Sequence, residues 1–212
     1  EYLIGAVPSG EREIRVEVGC GKGKFVTALA KDHPHIDFYA LEKIPDVIVM
    51  AAEKAAREEI PNVKFLLADA KDLTEGVERK FVRLENGQPV FENVAHSALC
   101  PQRSVSVLYL NFSDPWPKAR HAKRRLTSPQ FLTRYREFLA VDGDLEFKTD
   151  NQDLFAFSLE SVPEAGWKLV AHTFDLHHDA SMNQGNIMTE YESKFVSQGF
   201  PIYRLEAYIR KD

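Results

Sequence analysis

The sequence predicts an α/β fold: a doubly wound, mostly parallel sheet of seven strands with an antiparallel edge strand. Three observations carry the prediction. Apolar runs of strand length alternate with stretches of helical periodicity through most of the chain, the order that builds a parallel sheet covered by helices on both faces. A glycine-rich turn directly follows the first strand, where such a sheet binds a nucleotide. Beyond Ser161 the alternation fails, and two strand-like runs follow one another with no crossover helix of ordinary length, so they are expected to pair antiparallel at the edge.

Each element has its own signal. Ile14, Val16 and Val18 alternate in the first strand, and Phe25, Ala28 and Leu29 repeat at helical spacing until Pro34 stops them. The second strand is Asp37 to Leu41, followed by a helix that Pro45 opens at its first turn and Pro61 closes. Val63 to Ala68 is the third strand, Val105 to Phe112 the fourth, and Leu145 to Thr149 the fifth. Pro129 to Leu139 reads as a helix with Phe131, Leu132, Tyr135 and Phe138 on one side, and Asp153 to Ser161 as another. Trp167 to Phe174 and Ile202 to Ile209 are the last two strands. One segment breaks the rhythm: Lys80 to Leu84 and Pro89 to Phe91 flank Asn86-Gly87, the strongest two-residue hairpin signal, so a hairpin is expected inside an insertion at about residues 74–104.

At 212 residues the chain is read as a single domain, residues 1–212, large enough to bury a core. It is 44% hydrophobic and 28% charged, and no apolar run approaches the roughly 18 residues of a membrane span. Cys20 and Cys100 are its two cysteines, with no CxxC pair and no secretory leader, so neither a disulfide framework nor a thiolate zinc site is expected and a reducing cytoplasm fits. The chain starts at Glu1 rather than Met, so a short preceding segment is expected. Net charge is −5, yet from Pro115 to Arg134 six bases (Lys118, Arg120, Lys123, Arg124, Arg125 and Arg134) stand with no acid. An anionic partner has one place to dock.

The turn after the first strand is Glu17-Val18-Gly19-Cys20-Gly21-Lys22-Gly23. A dinucleotide fingerprint wants its third glycine where Lys24 stands. A pyrophosphate welcomes a helix N-terminus but not a carboxylate such as Glu17 beside it, whereas a cofactor carrying an ammonium or sulfonium suits that acid. S-adenosylmethionine is therefore favoured over a nicotinamide dinucleotide. Glu42 closes the second strand 19 residues beyond Gly23, where an acid accepts from both ribose hydroxyls, and Asp69 closes the third, near the adenine amino group. Glu17, Gly19, Gly21, Gly23, Glu42 and Asp69 form the predicted cofactor set, with Asp114 beyond the fourth strand. Cys20 reads as small filler, and Asp175, His177, His178 and Asp179 as loop residues; no metal is expected.

The fourth strand runs into Asp114-Pro115-Trp116-Pro117-Lys118-Ala119-Arg120-His121-Ala122-Lys123-Arg124-Arg125, the fifth ends Thr149-Asp150-Asn151, and Thr189-Glu190-Tyr191-Glu192 precedes the last strand. In these motifs the chain resembles the bacterial tRNA (guanine-N7)-methyltransferases, over nearly its whole length from Arg15 to Tyr208. It departs from their pattern at the long insertion and in lacking a basic aromatic lead-in. The resemblance implies a Rossmann-like methyltransferase fold, S-adenosylmethionine as methyl donor, S-adenosylhomocysteine as product, and tRNA as partner, with the methylated guanine in the variable loop. A monomer or homodimer is expected. It assigns Lys118, Asp150 and the loop Thr189, Glu190, Tyr191 and Glu192 to the tRNA; the basic run Lys118, Arg120, His121, Lys123, Arg124 and Arg125 is read as phosphate-contacting.

The chemistry of the residues agrees. Guanine offers N1–H and N2–H₂ as donors, which carboxylates such as Asp150 and Glu192 accept; Asp150 has the alternative role of capping the following helix. Trp116 is either a base-stacking ring or a core tryptophan. N7 carries a lone pair and no proton, so no general base is required, and Asp114 is the residue expected closest to the chemistry. Three alternatives stay open: a methyltransferase of another RNA or a small molecule, a non-catalytic RNA-binding subunit, and, more weakly, an NAD-dependent oxidoreductase.

Overall fold

The computed structural model describes residues 12–73, 79–94 and 104–209. The elements in chain order are β1 (Ile14–Val18), α1 (Lys24–Asp32), β2 (Asp37–Glu42), α2 (Pro45–Arg57), β3 (Val63–Leu67), β4 (Arg79–Glu85), β5 (Gln88–Val94), β6 (Val105–Asn111), α3 (Pro129–Tyr135), β7 (Leu139–Thr149), α4 (Gln152–Glu164), β8 (Trp167–Thr173), α5 (Glu190–Val196) and β9 (Tyr203–Ile209). One sheet holds every strand in the order β5-β4-β3-β2-β1-β6-β7-β9-β8.

The five strands from β3 to β7 in that order run parallel, and β9 lies antiparallel between β7 and β8. The α/β class and the antiparallel end agree with the sequence. The strand number does not: the sheet has nine strands, not seven. The hairpin accounts for the difference, because β4 pairs antiparallel with β3, Phe65 opposite Val82, and extends the sheet instead of standing apart from it. Its turn is the expected one, with Asn86 and Gly87 both at positive φ (51° and 75°), the signature of a type I′ turn. Residues 74–78 and 95–103 of the predicted insertion lie outside the described residues.

Apolar stripes place the helices. Phe25, Val26 and Leu29 of α1 and Ile48, Ala51, Ala52 and Ala55 of α2 join one buried cluster with Phe38 and Ala40. Phe131, Leu132 and Tyr135 of α3 and Leu154, Phe155 and Val162 of α4 join the cluster on the other sheet face with Leu108, Leu110, Leu145 and Phe147. Helix α3 stops at Tyr135, earlier than predicted, and β7 starts at Leu139, earlier than predicted, because Leu139 already pairs with Val105 before a register shift near Gly143. The short α5 sits in the connection that sequence periodicity leaves blank. Thr189 starts it with a full capping box: its side chain accepts from the Glu192 amide while Glu192 returns to the Thr189 amide.

Candidate active site

Parallel strands aligned in one direction deliver their carboxyl ends to one edge of the sheet, and that is where the predicted residues arrive: Glu17 and Gly19 from β1, Glu42 from β2, Asp69 from β3, Asp114 from β6 and Asp150 from β7. Two clefts open there. The first, of about 790 Å³, is lined by Gly19, Glu42, Asp69 and Asp114 together with Trp116, Lys123, Arg124 and Arg134. The second, of about 450 Å³, is lined by Glu17, Gly19, Gly21, Thr189, Glu190 and Tyr191 among others. They share Gly19, Asn111 and Phe112 as a wall. Backbone strain gathers here: Phe112 of that wall and Trp116 of the first cleft hold φ at 52° and 42°, which costs a bulky residue of order 1–3 kcal/mol and concentrates at functional sites.

Glu17 is buried, 3% exposed, at the wall of the second cleft. Its Oε1 accepts from Asn111 Nδ2 at 2.9 Å. Oε2 is buried; the Val26 amide lies near the carboxylate, yet Oε2 completes no hydrogen bond of ordinary geometry. Burial pushes the carboxyl up to about 7, against the pull of Asn111 and Lys148. A buried carboxylate oxygen without a donor at the cleft wall fits a cationic ligand group. Gly19 and Gly21, at φ 80° and 54°, leave open space where a Cβ would stand, so backbone can approach a ligand closely. Gly23, read from the sequence as a cofactor contact, lines neither cleft: a Cβ there would meet Ala51 Cβ at 2.9 Å, so this glycine lets α1 and α2 pack.

Glu42 organises the glycine turn from the next strand. Oε2 accepts from the Gly21 amide at 3.2 Å, and Oε1 from the amides of Lys43 and Ile44 at 2.8 and 3.0 Å. Asp69 Oδ1 accepts from the Lys71 amide at 3.1 Å, which fixes the turn that follows β3. Asp114 is largely exposed, and the Lys43 ammonium lies 3.3 Å from its Oδ2. That ion pair spans the first cleft between the second and fourth parallel strand ends, and sequence reading missed it although Lys43 directly follows Glu42.

The basic run divides. Lys118 and Arg120 are exposed on a short turn; Lys123 and Arg124 face the first cleft, with the Arg124 guanidinium 4.9 Å from the Trp116 ring centroid and His121 edge-on to that ring at 5.7 Å. Arg125 departs from its predicted role. Its Nε and Nη2 donate to the carbonyls of Pro115 and Trp116 at 3.0 and 3.2 Å, and its guanidinium lies over Phe157, so it braces the turn with two of its five N–H donors.

Glu192 is a second correction. Its side chain is 0% exposed: Lys148 Nζ lies 2.7 Å from Oε2, while Asn186 Nδ2 and His177 Nε2 lie 2.9 and 3.0 Å from Oε1. With both oxygens occupied it holds the 186–192 loop to β7 and does not face a base. Burial pulls the Lys148 ammonium below its ordinary value; burial of Glu192 is outweighed by Lys148 and the hydrogen bonds of Asn186 and Thr189, which keep its carboxyl below the usual range. Asp150 is released from the capping role, because Asn151 Oδ1 accepts from the Leu154 amide at 2.8 Å. Its charge is felt at Tyr191, whose phenol burial and Asp150 together raise. His177 turns to Glu192 while His178 turns to Asp175, so the paired histidines point apart.

Similarity to known proteins agrees with this geometry. Residues 11–205 match the family model described as "Putative methyltransferase". The chain is 46% identical over 199 residues to the tRNA (guanine-N(7)-)-methyltransferase of Lachnoclostridium phytofermentans, covering 94% of this chain and 82% of that one. It is 44% identical over 197 residues to the enzyme of the same name from Geobacillus thermodenitrificans, covering 93% and 80%. The crystal structure of the 16S rRNA methyltransferase KamB shares the fold with a TM-score of 0.63 over 97% of this chain and 91% of that one, at 16% identity. Acids at successive strand ends, a basic turn beyond the fourth parallel strand and two relatives at this identity lead to one statement: the chain belongs to the tRNA (guanine-N7)-methyltransferase family.

Proposed function

We propose that the protein transfers a methyl group from S-adenosylmethionine to N7 of a guanine in tRNA. The observation that carries the reading is the shared wall of Gly19, Asn111 and Phe112, which joins an acid-lined cleft with a basic rim to a second cleft lined by the Thr189 to Tyr191 loop. Glu42 and Asp69 would hold the adenosine, and Glu17, Gly19 and Gly21 the amino-acid end of the cofactor, with Asp114 beside it. When bound, S-adenosylmethionine supplies an electrophilic methyl on a positively charged sulfur.

The chain's own work follows from the nucleophile. Guanine N7 has a free lone pair and no proton, so no residue must act as a base. What remains is alignment, which reaches about 7–11 kcal/mol in well-oriented reactions, and exclusion of water. Asp150 accepts from the donor edge of the guanine, carboxylates at the strand ends favour the charge that develops on the purine, and Lys118, Arg120, Lys123 and Arg124 bind phosphates. Partner and cofactor follow from this reading, with the chain as one domain. The test is to incubate the protein with methyl-labelled S-adenosylmethionine and unmodified tRNA and map the label. Label at a guanine N7 in tRNA, with none on free guanosine, is expected; label elsewhere, or none in RNA, sinks the proposal.

A further inference from the structure

We propose that the rings of Phe112, Tyr191, Phe195 and Phe200 form a stacking platform for unpaired RNA nucleotides that flank the target guanine. The inference rests on tRNA being the substrate. The rings form one continuous series: Phe112 to Tyr191 at 5.0 Å between centroids, Tyr191 to Phe195 stacked at 4.4 Å, and Phe195 to Phe200 at 5.8 Å. Phe112 stands in the wall shared by both clefts, so the series begins at the reaction site. It ends in solvent, where Tyr191 and Phe200 are 46% and 53% exposed.

A run of large aromatics open to water beside a cleft marks an interaction surface. Charge identifies the partner. Lys22, Lys24 and Lys194 line the second cleft together with Phe112 and Tyr191, and Lys24 donates to Ser193 of α5 at 2.9 Å. Of the acids near these rings, Glu190 is offset by Lys22 at 3.9 Å and Glu17 is buried, while the charge of Asp150 reaches Tyr191. Aromatic faces with interleaved lysines are what single-stranded nucleic acid needs, because every base has a stacking face and every nucleotide a phosphate. A second copy of this chain fits less well, since it would bring the same three lysines against these.

The inner rings are too close to admit a base between Phe112 and Tyr191, so the free surface of Phe200 is the landing face and the inner rings hold it in line. Trp116 of the first cleft is already engaged by Arg124 and His121.

The test uses the full chain with S-adenosylhomocysteine and a tRNA carrying 2-aminopurine next to the target guanine. Binding to the parent is expected to quench the probe. Phe200→Ala is expected to remove most of the quench and weaken RNA binding by about fivefold to a hundredfold. Phe200→Trp should keep both, and circular dichroism with unchanged cofactor affinity shows that each variant is folded. Equal quench and affinity in parent and Phe200→Ala overturns the platform, as does a parent dimer in sedimentation that Phe200→Ala abolishes. If the parent methylates tRNA while the Phe200 variants behave alike, only the platform fails; if the parent methylates no tRNA, the functional reading itself fails.

Discussion

The ammonium of Lys148 lies 2.7 Å from the carboxylate of Glu192, and both side chains are almost wholly removed from solvent, at 5% and 0% exposure. Lys148 stands opposite Asn111 in the β6–β7 register, and Asn111 in turn donates to Glu17. A single polar row therefore crosses three adjacent strands and joins the acid of the glycine turn to the anchor of the 186–192 loop.

Breaking that pair from one side should be costly. Lys148→Met leaves a buried carboxylate without its countercharge, and we expect a loss of about 3–5 kcal/mol in denaturant unfolding. Adding Glu192→Gln to that variant removes the stranded charge and keeps the capping box, so most of the loss should return. A double variant as unstable as Lys148→Met would mean that the pair is not the cause.

Glu17 sets a pH dependence of definite sign. Its carboxyl, raised from 4.5 to about 7, is held protonated by the fold, so its contribution to stability is full below 4.5 and is lost as pH rises through about 7. A cationic ligand favours the ionised form. Affinity for S-adenosylmethionine should therefore rise between about pH 6 and 8 with proton release on binding, and Glu17→Gln should flatten the profile. Calorimetry in buffers of different ionisation enthalpy reads the protons directly; no release from the parent would contradict this.

Arg124 and Arg125, neighbours in sequence, should separate in function. Arg124→Ala is expected to lower the log–log salt slope of tRNA binding by about 0.7–0.9, the loss of one phosphate contact. Arg125→Ala should leave the slope unchanged and lower the melting temperature, because its donors hold the carbonyls of Pro115 and Trp116. Filter binding across salt concentrations with a thermal melt distinguishes them.

Asp150→Asn turns an acceptor into a donor facing donors, and since Asn151 caps α4 the variant should remain as stable as the parent. Single-turnover methylation is expected to fall by up to about 10⁴-fold with tRNA affinity nearly unchanged. Glu192→Gln should also lose methylation, but together with stability. A parent-like rate in Asp150→Asn would send the search for the base pocket elsewhere.

Much of this was legible in the sequence because it is local. Alternating Ile14, Val16 and Val18, the prolines at 45 and 61, and Asn86-Gly87 each carry their structure in a few neighbouring residues. The strand-end acids were legible because a parallel sheet sends every such residue to the same edge. What escaped was set by contacts distant along the chain. Nothing near Gly23 announces Ala51, and nothing near Arg125 announces Phe157. Two signals were present and unread: a lysine inside the apolar Leu145 to Thr149 strand, which needs a buried partner, and Thr189-x-x-Glu192, which is a capping-box pattern before it is anything else.

The position of β9 bears on when the enzyme comes into being. Although it is the last strand among the described residues, it lies inside the sheet, bridging β7 and β8, and its Arg204 pairs with Glu146 of β7. During synthesis the earlier strands can assemble as they emerge, while β7 waits with one side unpaired until β9 emerges. Because β7 also carries Lys148, whose ammonium holds Glu192, the strand that anchors the 186–192 loop gains its second neighbour only when β9 joins the sheet.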